Sequence, residues 1–138
     1  MTPSDQLAES ILEQTTDAVV YADTQGTIAR WNAAAAALFG FSKAEAIGAN
    51  LDLIIPEHLR AAHWKGFDAA LASGRTRLAG RPTVTRALHQ SGQRLYVEMT
   101  FALVKDDAGQ VIGTVAVARD ATERMERERA ARAAPPAS

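Results

Sequence analysis

The sequence predicts an α+β domain in which a five-stranded antiparallel sheet carries several short helices on one face. Three observations lead there. Two β-prone runs flank a glycine-containing turn near the N-terminus, short capped helices fill the middle of the chain, and three longer strand-like segments joined by turn sequences follow.

Residues 4–14 place Leu7, Ile11 and Leu12 on one helical stripe, with Ser4 in position to cap it. Ala18-Val19-Val20-Tyr21 and Thr27-Ile28-Ala29-Arg30-Trp31 surround Asp23-Thr24-Gln25-Gly26, which makes them a hairpin. Asn32 then caps an alanine-rich helix over 33–39, and Gly40 ends it. Ser42 and Glu45 stand at capping-box spacing for a further short helix to about Ile47, stopped by Gly48. Pro56 suits a helical first turn. Residues 57–72 carry Leu59, His63, Phe67, Ala70 and Leu71 at spacings of three and four, so His63 lies within an apolar stripe that Ser73-Gly74 closes.

Segments 81–88, 93–104 and 111–119 read as strands, linked by Gln90-Ser91-Gly92 and Asp106-Asp107-Ala108-Gly109. In the middle one, Leu95, Val97, Met99, Phe101 and Leu103 alternate with Tyr96, Glu98, Thr100 and Ala102, so one face is buried. The tail from Ala121 to Ala130 is rich in helix formers, with Met125 its one strong apolar residue. It reads as a connector or half of a coiled coil, and the Ala-Pro-Pro-Ala-Ser end reads as a linker.

At 138 residues there is room for one domain with its own core, and 47% apolar with 22% charged residues fits a globular protein. A net charge of −1 gives no footprint for nucleic acid. The absence of cysteine excludes disulfides, thiolate metal ligands and a cysteinyl flavin adduct. There is no run of ~20 apolar residues and no basic-then-apolar N-terminus, so the expectation is a cytoplasmic protein with no membrane partner. No phosphate-cradling loop, nucleophile elbow or metalloprotease helix is present, and the chain is not expected to be an enzyme. His58 and His89 fall where exposure is expected, without a third zinc ligand nearby. Trp64 lies off the apolar stripe, where it would cover an edge or join a dimer surface.

Several pieces in order resemble a PAS domain over residues 7–124. They are Asp17-Ala18-Val19-Val20 with Asp23, Gly26 and Ile28; Trp31-Asn32-Ala33-Ala34-Ala35; Leu38-Phe39-Gly40-Phe41; Glu45-Ala46-Ile47-Gly48; and Arg119-Asp120-Ala121-Thr122-Glu123-Arg124. Their common order and spacing carry the resemblance. It implies a flanking helix at 1–14, a sensor domain at 15–120, and a signalling helix with linker at 121–138. Asp120 and Thr122 match the Asp-x-Thr motif that joins the last strand of PAS proteins to that helix. An Asp there accepts backbone or arginine hydrogen bonds and ties the exit geometry to the sheet, or serves as a simple N-cap.

Locally, Ile55-Pro56-Glu57-His58-Leu59-Arg60-Ala61-Ala62-His63 is similar to a helix of haem-binding PAS oxygen sensors, with no gap needed between His63 and Gly92. This implies haem b with His63 as the proximal iron ligand. The slot would be lined by Leu59, Phe67, Leu71 and Leu78 and by Val97, Met99, Phe101 and Val115. Thr83 stands where the oxygen-sensor kinases carry a gas-contacting arginine. Arg81 stands where the phosphodiesterase carries an iron-capping methionine. On one strand face with Thr83, Arg81 is within reach of the pocket, and Met99 is an alternative thioether ligand on the distal side. Two other readings stand beside this one: a cofactor-free homodimerisation module built on the flanking helices, and a pocket for non-covalent flavin or a small organic ligand faced by Trp, Asn or Gln.

Overall fold

The computed structural model describes residues 2–133. The linker reading of 134–138 lies outside the described residues.

Helix α1, Pro3–Gln14, begins two residues earlier than a Ser4 cap would set it, because Thr2 and Asp5 form the capping box and Pro3 takes the first helical position. Strands β1, Ala18–Asp23, and β2, Ile28–Trp31, form the hairpin. Asn32 accepts the Ala35 N–H at the start of α2, Ala33–Phe39, and Gly40 closes that helix in a left-handed conformation, φ 80°. Ser42 and Glu45 cap α3, Lys43–Ala46, reciprocally, and the hydrogen bonds from Ser42 lower the Glu45 pKa below the usual carboxylate value.

Two tight 3-10 turns, Leu51–Ile54 and Glu57–Leu59, precede α4, Arg60–Ser73. The expected helix from 57 therefore starts as a 3-10 turn: the Leu59 N–H bonds the Pro56 carbonyl before α-helical spacing takes over. Strands β3, Thr83–Leu88, β4, Arg94–Lys105, and β5, Val111–Asp120, follow, and then α5, Thr122–Ala133. The sheet order is β2-β1-β5-β4-β3, all neighbours antiparallel, with β2 and β3 at the edges.

Register fixes which residues face the helices. Thr83 pairs with Met99, Met99 with Ala118 and Ala118 with Ala18, so these side chains share the inner face, as do Phe101, Ala116 and Val20 one row along. The core centres on Trp31, Phe39, Ile28 and Val97. Asn32 is buried with all four of its hydrogen bonds made. Its Oδ1 accepts from Val19 and Ala35, and its Nδ2 donates to the carbonyls of Leu12 and Asp17. One amide thus joins the end of α1, the first strand and α2. Ion pairs Arg30–Glu9 and Lys43–Glu13 further tether α1, while Leu7 and Ile11 stay over 60% exposed. Two residues of the expected α1 stripe, Leu7 and Ile11, are therefore turned away from their own domain, while Leu12 is half-buried. Among the described residues, no helix is long and apolar enough to cross a membrane.

Candidate functional site

Between α4 and the inner face of β3, β4 and β5 lies a cavity of about 510 Å³. That volume sits within the roughly 300–1,000 Å³ typical of cofactor and ligand clefts. It exists because small residues face each other. Ala62, Gly66 and Ala70 lie four apart on α4, and Thr114 and Ala116 on β5 stand opposite with Thr83 and Thr85 of the edge strand. Side chains of this size cannot fill the space between helix and sheet, and the larger Leu59, Phe67, Met99 and Phe101 wall it instead.

His63 is part of that wall. Its Nδ1 is buried and has no hydrogen-bond partner among the described residues. Its ring stands edge-on to Trp64, centroids 4.7 Å apart, and tilted against Phe67 at 5.9 Å. Burial pushes the imidazole pKa below its ordinary 6.5, opposed in part by the Asp52 carboxylate. At neutral pH the ring is therefore neutral and has a lone pair to give. A buried ring nitrogen without a partner costs about 1–3 kcal/mol, which a bound group would offset.

Asp52 also organises the neighbourhood. Its Oδ1 accepts from Trp64 Nε1 at 2.8 Å and lies 3.9 Å from Arg60 Nε, which itself donates to the Ile55 carbonyl. The Trp64 indole lies on the hairpin at Gly26, where φ is 82° and a Cβ would run into the ring. Trp64 thus locks α4 to the hairpin inside its own domain, the edge-covering role expected of it. His58 is exposed, whereas His89 is half-buried: its ring covers Gly40 and its Nδ1 accepts the Ser91 N–H.

Of the residues expected around a ligand, Leu59, His63, Phe67, Leu78, Thr83, Met99 and Phe101 line the cavity and four do not. Leu71 packs against the core cluster. Val97 faces inward but is sealed, 0% exposed. Val115 alternates with the inward Thr114 and Ala116 and so belongs to the outer sheet face. Arg81 precedes β3 in a turn made by Ala79 at φ 50° and Gly80 at φ 80°, is exposed, and donates from Nε to its own Leu78 carbonyl. Arg77 and Arg86 also belong to the cavity wall, but Arg86 alternates with the inward Thr85 and Ala87, and its guanidinium lies over the Tyr96 ring. The small stripe of α4 was readable from its spacing; Arg77 sits in a loop and carried no periodic signal.

At the other end of the sheet, Asp120 Oδ1 accepts the Thr122 N–H at 2.8 Å, a local cap. Thr122 makes the link to the sheet: its Oγ1 accepts the Tyr96 N–H at 3.0 Å and donates to the Tyr96 carbonyl at 3.3 Å.

A small antiparallel sheet with a ligand-sized cavity on its helical face and a helix leaving its last strand is the architecture of a sensor module. The family model described as the PAS fold matches residues 12–126, and the chain belongs to that family. It is 30% identical over 129 residues to the oxygen sensor protein DosP of Escherichia coli, covering 91% of this chain and 16% of that protein. It is 43% identical over 54 residues to the sensor protein FixL of Bradyrhizobium diazoefficiens, covering 39% of this chain and 11% of FixL. The chain thus spans less than a fifth of these relatives. Among solved structures, a PAS domain from Colwellia psychrerythraea superposes with a TM-score of 0.76 at 23% identity, over 88% of this chain and 99% of that one.

Proposed function

We propose that this is a cytoplasmic, non-catalytic sensor module that binds haem b in the α4–sheet cavity, with His63 as the proximal iron ligand, and passes the change to an output partner through α5. The observation that carries the reading is His63 itself, a neutral imidazole with an unpartnered buried nitrogen on the wall of an apolar cavity of about 510 Å³. The similarity to DosP, named an oxygen sensor, supports a diatomic gas or redox state as the signal. Haem would supply an iron with a sixth position open to a gas or to a protein ligand. The chain's own residues then do the rest. Leu59, Phe67 and Phe101 exclude water, Met99 offers a thioether from the sheet, and Thr83 is a neutral hydrogen-bonding group where a charged one would select differently. Flavin is less well supported, because no Asn, Gln or Trp is among the cavity's lining residues. Leu7 and Ile11, exposed on α1, support a homodimer formed through that helix.

The test is reconstitution of the purified protein with hemin. The expected result is one Soret-absorbing haem per chain, with strongly reduced uptake in His63→Ala that returns when imidazole is added. Equal uptake and an identical spectrum in His63→Ala would overturn the assignment.

A further inference from the structure

Helix α5 meets the sheet at three places: Thr122 on the Tyr96 backbone, Arg124 on the Glu98 carboxylate at 3.1 Å, and Arg129 on the Tyr96 side chain. No residue of α5 is buried, so its docking depends on such contacts. The third is unusual. Arg129 Nη1 donates to the Tyr96 hydroxyl at 3.0 Å with its guanidinium carbon 5.9 Å from the ring centroid, and the Arg86 guanidinium lies 5.6 Å from the same centroid. Two cations share one ring, and neither takes part in an ion pair among the described residues.

Arg86 sits opposite Tyr96 in the β3–β4 register. It lines the large cavity together with Val84 and Thr85, and the same three residues line a second cleft of about 310 Å³ that Tyr96 and Met125 bound. Strand β3 is therefore the common wall of the cavity and of the seat of α5. It is also an edge strand, bonded to β4 alone, so a shift when the cavity fills breaks no pairing on its outer side.

We propose that the Arg86–Tyr96–Arg129 stack is the clasp through which cavity occupancy controls the docking of α5. Arg86 and Tyr96 act as positioning residues. They hold the helix on the sheet while the β3 edge keeps one position and release it when that edge is displaced, so both sites bias one contact. The regulatory part rests on the cavity being the sensing site.

The experiment is amide hydrogen exchange across residues 122–133 in the wild type, Arg86→Met, Arg129→Met and the double variant, without and with hemin. Methionine keeps an apolar stem and removes the charge. Without hemin, each single variant should speed exchange in α5 by about two- to fivefold, the scale of one exposed cation–π contact. The double should be no faster than the faster single, because both changes open one clasp. Unchanged exchange in Arg86→Met, or effects that multiply, would overturn the clasp. With hemin, exchange in α5 should shift in the wild type and not in Arg129→Met, which lies away from the cavity, although the Soret band shows both loaded. An equal shift in both would overturn the coupling. Failure of the wild type to take up hemin would overturn the cofactor reading, while the hemin-free comparison still decides the clasp.

Discussion

The two ends of the inner sheet face follow one register and reach opposite outcomes. Over β1 and β2, Trp31 and Phe39 meet with ring centroids 5.4 Å apart, and Trp31, Phe39 and Ile28 are all at most 2% exposed. Over β3 and the adjoining stretch of β4, Thr83, Thr85 and Ala87 face the alanine-and-glycine stripe of α4 across an open cavity. The difference is one of side-chain volume, not of topology. Where large residues meet, the helices seal the sheet and supply stability; where small ones meet, the same scaffold keeps a site open at the cost of buried contacts.

The largest expected contrast comes from truncation. Trp31→Ala should destabilise by about 3–5 kcal/mol, since it removes a fully buried ring and leaves a void. Leu103→Ala, on a half-buried residue that only widens an existing opening, should cost about 1 kcal/mol or less. Urea unfolding midpoints with matched slopes measure both, and equal losses would break the comparison.

Filling should sharpen it in the opposite sense. Ala35→Leu, at a residue 0% exposed, should overpack the sealed half by about 1–3 kcal/mol. Ala70→Leu projects into the cavity, and we expect a change below about 1 kcal/mol in thermal or urea unfolding together with reduced hemin uptake.

A smaller effect follows from His63. Its folded pKa is lowered, so below pH ~6.5 the unfolded chain takes up the proton first. The stability from a neutral His63 is present above that pH and is lost as pH falls through ~6.5 toward the folded value. Unfolding free energy measured from pH 7.5 to 5 should decline less steeply in His63→Phe than in the wild type; parallel profiles would contradict the burial of this ring. The smallest stability effect is expected for Leu7→Glu with Ile11→Glu, within about 0.5 kcal/mol when unfolding is measured at a concentration low enough to keep both proteins monomeric, because both residues are exposed on the single chain. The same pair should shift the sedimentation coefficient from dimer to monomer.

The sealed half was the more legible in the sequence, because its determinants are local. Gly40, Ser42 and Glu45, and Asn32 through its cap on Ala35, act on backbone groups within a few residues, and the order of elements follows from them. The open half depends on register and turns. Strand β4 alternates and its inward set is readable. Strand β5 is apolar on both parities through Val115, Ala116 and Val117, so only pairing with β4 reveals that Ala116 faces the cavity and Val115 faces outward. Arg81 lies outside the cavity for a related reason. Its turn uses Ala79 in a left-handed conformation, a position where sequence normally signals with glycine or asparagine, and that turn aims the side chain at Leu78. The partnership of Asp52 with Trp64 spans 12 residues across two helical segments, and no motif announced it.

Whether the His63 nitrogen binds iron decides the identity of the cofactor. Resonance Raman spectra of the hemin-reconstituted, reduced protein address this directly, with and without 15N-labelled histidine. An iron–imidazole stretching band that shifts on labelling and disappears in His63→Ala is the predicted result. A labelling-sensitive band that persists in His63→Ala would contradict it.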